Sequence, residues 1–366
     1  MTVRFQIGSR EIGPGAAVYV IAELSANHNQ DFDRAVQTIR AAKNAGADAV
    51  KLQTYTPETI TLASDRAEFR IDGGTLWDGR TLHDLYHEAF MPWEWQPRLK
   101  TIAEDLRMDL FSTAFDSTAV DFLEEMKVAV HKIASFELVD IALIQKMART
   151  GKPLIMSTGM ANVEEIDEAV QAARAAGATQ IALLKCTSAY PAPPEEMNLR
   201  TIPEMMRRFD LPIGLSDHTM EIAASVAAVA LGASIVEKHL TLSRTDPGPD
   251  SAFSLEPDEF QKMVEAVRTV EKALGAVSFG ARGKQESSKS FRRSLFVVED
   301  IQQGAEFTAT NIRSIRPGQG LHPRHLPEML GRRAARNIKK GTPLSWDLVA
   351  DEQAHCDVAA RSHDAS

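Results

Sequence analysis

Apolar and polar positions along the chain come in blocks. Short apolar or β-branched runs recur at VYVIAEL, DAVKLQT, DLFSTAF, AVHKIAS, PLIMSTG, IALLKCT, PIGLSDH and SIVEKHLT. Runs of this length without strict alternation are the pattern of parallel strands buried on both faces, and most intervals between them hold a helical pattern of about one crossover's length. In NVEEIDEAVQAARAAGA, Val163, Ile166, Val170 and Ala173 share one helical face. Asn162 with Glu165 has the pattern of a capping box, and Gly177 supplies the stop. The same punctuation, a glycine stop, an alanine and then a strand, occurs in NAGADAV, RAAGATQIAL and ALGASIV. Eight such units predict a (β/α)8 TIM barrel, a fold whose chemistry sits at the C-terminal ends of the strands.

Two stretches depart from this rhythm. The segment from Tyr55 to Trp95 is longer than a crossover and carries GGTLWDGRTLHDLY, which predicts an excursion over the barrel mouth. After a helix ending near Leu274, the stretch GAVSFGARGKQESSKSFRRS is rich in Gly, Ser and Lys and reads as a linker. Short strands and frequent turns follow, too few to share the barrel core. The expected organisation is a barrel domain over 1–280, a linker over 281–293, a small β-rich domain over 294–351 and a polar, disordered tail over 352–366.

Composition narrows the function. A formal charge of -9 and the lack of a long basic run argue against nucleic acid as the partner. Cys186 and Cys356 lie far apart with no Cys-x-x-Cys pair, so no disulfide framework is expected, which fits a reducing cytoplasm. The N-terminal stretch has no signal-peptide pattern, and Ser225, Gly232 and Ser234 interrupt the Ala/Val-rich stretch from Ile222, so no membrane contact is expected.

On a barrel, His218 follows the seventh strand and His239 ends the eighth. Two imidazoles on neighbouring strands can share one divalent ion, although hydrogen-bonded structural histidines are the alternative for the pair alone. The other strand ends supply Glu23, Lys51 with Gln53, Thr113, Lys132 with Ser135 and Glu137, Ser157, Lys185 with Ser188 and Tyr190, Ser216 with Asp217, and Glu237 with Lys238. A barrel built for stability alone has no need of so many. Lysines and hydroxyls converging on one pocket suit a phosphorylated carboxylate, and acidic groups beside two histidines suit a metal with open positions and a nearby acid or base. Cys186, with no activating partner evident, reads as a small buried apolar residue.

The motifs IAELSANHNQ, KLQTYTP, KIASFE, MSTGM, LLKCTSAYPAPPEE, GLSDHT, EKHLT and DPGPDSAFSLEPDEF, in that order, resemble those of the sialic acid synthase family. The C-terminal part is similar to that family's SAF domain, itself like type III antifreeze protein. The resemblance implies a transferase that joins phosphoenolpyruvate to an amino-hexose. It implies that His218 and His239 bind a divalent metal, Mn²⁺ or else Mg²⁺ or Co²⁺. It implies that Lys51, Gln53, Thr113, Lys132, Ser135, Ser157, Ser188 and Ser216 surround phosphoenolpyruvate, that Glu23, Tyr190 and Asp250 face the sugar, and that Glu137 lies near the reacting carbons. Arg316, in IRPGQG, matches the arginine that the SAF domain delivers into the other subunit of a domain-swapped homodimer.

Within the family, WDGRTLHDLY, SAFSLEP, SIRPGQGLHP and GTPLSWDLV look most like the branch that uses 2,4-diacetamido-2,4,6-trideoxy-L-altrose. The precursors of N-acetylneuraminic and legionaminic acid are the alternative substrates, and a non-catalytic sugar or anion binder is the alternative class. The chain departs from the family at Ala114, where proline is usual, and at Ser188, where the N-acetylneuraminate branch has asparagine. Glu23, Glu137 and the metal are all candidates for activating the water that adds at C2.

Overall fold

The computed structural model describes residues 4–350. The expected tail over 352–366, and residue 351 of the small domain, lie outside the described residues. A hairpin comes first, β1 (Phe5–Ile7) antiparallel to β2 (Arg10–Ile12). Strands of three residues carry no readable periodicity, and the sequence pattern did not predict them.

Eight strands follow, each inside one of the eight apolar runs: β3 (Tyr19–Glu23), β4 (Ala49–Thr54), β5 (Asp109–Ala114), β6 (His131–Ile133), β7 (Leu154–Ser157), β8 (Ile181–Cys186), β9 (Ile213–Asp217) and β10 (Ile235–His239). They form a closed parallel barrel in chain order, with β10 pairing back onto β3. Every residue of β3, β9 and β10 is buried, because helices cover the outside while side chains fill the inside. The predicted capping box of the Val163–Ala175 helix forms, and Ile166, Ala169, Val170 and Ala173 face the core. Gly46, Gly177 and Gly232, the three repeated stops, all take positive φ, a conformation that costs glycine little. At the N-terminal rim, Asp48 holds Arg10 and Arg268 at 2.8 Å each. No helix among the described residues is long and apolar enough to cross a membrane.

The chain divides into two compact units after Gly275, one residue past the helix Pro257–Leu274. The stretch expected as a plain linker contains a short exposed helix, Lys284–Ser288, with an ion pair between Lys289 and Glu286. In the second unit β11 (Ser294–Val297) pairs antiparallel with β12 (Ile312–Ile315). Its separate core includes Leu295, Val297, Phe307, Ile312 and Leu344.

Candidate active site

In each barrel strand alternate side chains point inward, and the last inward position lies at the C-terminal rim. Glu23, Lys51, Gln53, Thr113, Lys132, Ser157, Ser216, Glu237 and His239 reach one cavity of about 470 Å³ in this way. Loops beyond the strands add Ser135, Glu137, Tyr190, His218 and Asp250. Ala114 continues the β5 ladder opposite Thr54, so the backbone at Thr113 is regular.

One side of the cavity is cationic and rich in hydroxyls. Lys51 Nζ lies 3.0 Å from Glu23 Oε2, 3.2 Å from Glu237 Oε1 and 3.2 Å from Thr113 Oγ1. Burial acts to lower its pKa, but the two carboxylates outweigh it and the ammonium stays charged. Lys132 Nζ donates to Ser157 Oγ at 2.7 Å and to the Ile133 carbonyl at 2.8 Å. Burial pushes its pKa down to about 8, with Glu237 opposing. Nearby, Gly159 N donates to Ser135 Oγ at 3.0 Å. A Cβ on Gly159 would stand 2.2 Å from Ser188 Oγ and 2.7 Å from Ser135 Oγ, so the two hydroxyls and the bare backbone share a recess that only glycine leaves open. Ser188 does not itself line the cavity, and its hydroxyl lies 3.7 Å from Cys186 Sγ.

The other side carries the histidines. The ring centroids of His218 and His239 are 5.3 Å apart. His218 Nδ1 lies 2.9 Å from the Thr187 carbonyl, to which it donates, leaving Nε2 as the lone-pair nitrogen. His239 Nδ1 is buried without a hydrogen-bond partner, and burial, with His218 adding to it, holds this imidazole neutral. One oxygen of Glu237 is also buried without a partner. No three His, Cys, Asp or Glu side chains among the described residues already form a cage of ligands. The pair nevertheless fits a divalent ion: the Thr187 carbonyl fixes the His218 ring with Nε2 as its lone-pair nitrogen, burial keeps His239 neutral, and an open site leaves positions for substrate.

Carboxyl groups complete the site. Burial raises Glu23 to about 7 against the pull of Lys51, while its Oε1 accepts from Gln53 Nε2 at 3.1 Å. Burial likewise raises Glu137 to about 7, and its Oε2 has no partner. Asp250 accepts from the Ser25 hydroxyl, and the Tyr190 ring lies 4.4 Å from that of His218.

Besides Ser188, four sequence candidates, Lys185, Asp217, Lys238 and Arg316, are not brought into the cavity. Lys185 bonds the Cys186 carbonyl at 2.7 Å and Thr187 Oγ1 at 3.1 Å, and Asp217 pairs with Lys238 on the outer side of the strands. Their phase along each strand sends them outward. Arg316 is exposed and belongs to the second unit, whereas every residue lining the cavity belongs to the first. An apolar wall of Ile71, Trp77, Leu85, Tyr86 and Phe253 was not anticipated residue by residue, since such side chains read as ordinary core. Its signals were the overlong segment after β4 and the motifs WDGRTLHDLY and SAFSLEP, which hold Trp77, Leu85, Tyr86 and Phe253.

Fold and site together define a TIM-barrel protein with a polar C-terminal mouth lined by lysines, hydroxyls, carboxyl groups and two histidines, followed by a separate β-rich unit. The NeuB family model matches residues 38–278 and the SAF domain model residues 292–350. The chain is 45% identical over 331 residues to a pseudaminic acid synthase of Helicobacter pylori, covering 90% of this chain and 97% of that protein. It is 43% identical over 327 residues to a pseudaminic acid synthase of Campylobacter jejuni, covering 89% and 95%. Among solved structures, an N-acetylneuraminic acid synthetase of Leptospira borgpetersenii in complex with citrate superposes with a TM-score of 0.71 at 30% identity, covering 79% of this chain and 95% of that one. The chain belongs to the NeuB family.

Proposed function

We propose that the protein is a pseudaminic acid synthase, condensing phosphoenolpyruvate with 2,4-diacetamido-2,4,6-trideoxy-L-altrose and releasing phosphate. The observation that carries this reading is the meeting, in one cavity, of a lysine and hydroxyl cluster with a facing pair of histidines. Identity of 42 to 45% to three pseudaminic acid synthases favours this sugar over the legionaminic precursor, whose synthases match at 32 and 34%.

Lys51, Lys132, Ser157 and the Gly159 recess hold the phosphate and carboxylate of phosphoenolpyruvate, with Gln53, Thr113, Ser135, Ser188 and Ser216 around them. Glu23, Tyr190 and Asp250 orient the sugar so that its aldehyde faces C3 of phosphoenolpyruvate. His218 and His239 are the residues to hold a divalent ion, Mn²⁺ foremost, and bound there it supplies Lewis acidity to the aldehyde oxygen. Attack by C3 forms the new C–C bond, the aldehyde oxygen takes up a proton to become a hydroxyl, and positive charge is left at C2, which Glu23 and Glu237 stabilise. Water adds at C2, losing its proton to Glu23 or Glu137, both poised near neutrality, and the C–O bond to phosphate breaks. Arg316 reaches the site from the second unit of another copy in a homodimer, and the reaction takes place in the cytoplasm.

The test is phosphate release from phosphoenolpyruvate with the altrose derivative, the legionaminic precursor and N-acetylmannosamine in parallel, each with Mn²⁺ and with EDTA. Fastest turnover on the altrose derivative, lost in EDTA, is expected. Preference for another hexose would reassign the substrate, and sugar binding without phosphate release would make the protein a binder.

A further inference from the structure

Lys238 looked in the sequence like one more polar group at a strand end, but β10 sends Glu237 and His239 inward and Lys238 out between the barrel and its helices. There it lies opposite Asp217 of β9 in the strand register, 1% exposed, with Nζ 2.9 Å from Asp217 Oδ2. It also donates to two backbone carbonyls, those of Thr219 and of Glu221, the latter at 3.1 Å. Both belong to the turn that begins at His218. Asp217 binds the same turn from the other direction, accepting from Thr219 N at 2.9 Å and Thr219 Oγ1 at 2.8 Å, and it also accepts from Ser225 Oγ of the following helix, Ala223–Ala230, at 2.6 Å.

We infer that Lys238 is a positioning residue for the metal-binding imidazoles: it ties the turn that carries His218 to the strand that carries His239. The histidine itself is held from the opposite side, its carbonyl accepting from Ala192 N at 2.9 Å and its ring donating to the Thr187 carbonyl. With the turn free to shift, the ring loses one of its two restraints. Stability alone does not account for the arrangement, because a buried ion pair gains little over an apolar pair of the same size. The contacts an apolar pair could not replace are those to the two carbonyls.

This inference rests on the proposed metal role of His218 and His239. Full-length protein is stripped with EDTA and titrated with Mn²⁺, free ion being counted by electron paramagnetic resonance. Lys238→Met is expected to weaken Mn²⁺ binding by about 10–100-fold, the usual effect of removing a group that orients a ligand. Raising Mn²⁺ should then restore turnover, with KM for phosphoenolpyruvate close to that of the wild type, a pattern that general damage to the barrel does not produce. Because Lys238→Met leaves Asp217 buried and unpaired, the double variant Asp217→Asn with Lys238→Met is measured beside it, together with Thr219→Val, which removes one hydroxyl of the network. Each should lose Mn²⁺ affinity while unfolding cooperatively. Wild-type affinity in any folded variant lacking Lys238 overturns the inference. Wild-type protein that binds no Mn²⁺ removes the metal reading and this inference with it, a result distinct from wild type and variants binding equally well.

Discussion

Each histidine sits at the end of a strand whose apolar residues supply the packing, so its removal leaves the barrel core in place. His218→Ala and His239→Ala should each lower turnover at least ~100-fold with little change in melting temperature, and chelation should reproduce the loss. Full activity after EDTA treatment would refute the metal role. Lys132 gives a pH test. With its pKa lowered to about 8 by burial, it is charged below that pH and neutral above it. Its neighbours across the cavity are Glu237, Lys51, Cys186 and Glu23. Since the neutral amine cannot pair with phosphoenolpyruvate, kcat/KM for this substrate should fall as pH rises through about 8. Lys132→Met should lower kcat/KM and flatten that limb; an unchanged limb would assign the titration elsewhere. Lys51 is a poorer probe, because its loss strands Glu23 and Glu237 as buried carboxylates and costs stability as well as affinity.

The excursion after β4 is fastened at two points. Trp77 Nε1 donates to the Pro249 carbonyl at 3.0 Å, beside Asp250, and Gln30 Nε2 donates to the Glu88 carbonyl at 3.2 Å, near the end of the helix Leu82–Ala89. Trp77 also packs on Tyr190 and Phe253. Trp77→Ala therefore removes a hydrogen bond and an aromatic contact worth together roughly 1–2 kcal/mol, and should raise KM for the hexose about tenfold while changing that for phosphoenolpyruvate less than about twofold. Steady-state kinetics with each substrate varied in turn would check it. The barrel strands were readable because strands buried on both faces leave continuous apolar runs. The glycine stops were readable because positive φ favours that residue, whereas Arg107 and Lys127, which take positive φ just past two other helices, left no such mark. What stayed hidden depended on phase or partners: Lys238 and Glu237 are adjacent in sequence and point to opposite faces, and Trp77 acquires its place only from Pro249, far along the chain. Cys186 read as a small apolar residue, and its Sγ lies 3.9 Å from His218 Nδ1. The recess at Gly159 exists only through the meeting of the segments after β6, β7 and β8.

At the scale of the whole molecule, Arg316 and the histidines lie in different compact units. If the arginine serves another copy's barrel, Arg316→Ala and His239→Ala proteins should each be inactive alone and regain partial activity on co-expression, because one mixed site then receives both intact groups. Absence of recovery in verified heterodimers would assign the arginine to its own subunit, and full activity of Arg316→Ala would remove it from the site. Closure of the barrel has a further consequence, in time. The pocket joins residues from both ends of the first unit, and Ser25 meets Asp250 across 225 positions of sequence. At roughly 5–20 residues per second of synthesis, the first partner waits about 10–45 s for the second to leave the ribosome. Through that interval β3 has no β10 beside it, and its open edge is available to other strands or to chaperones. Until the last strand arrives, the nascent chain has most of its barrel and none of its chemistry.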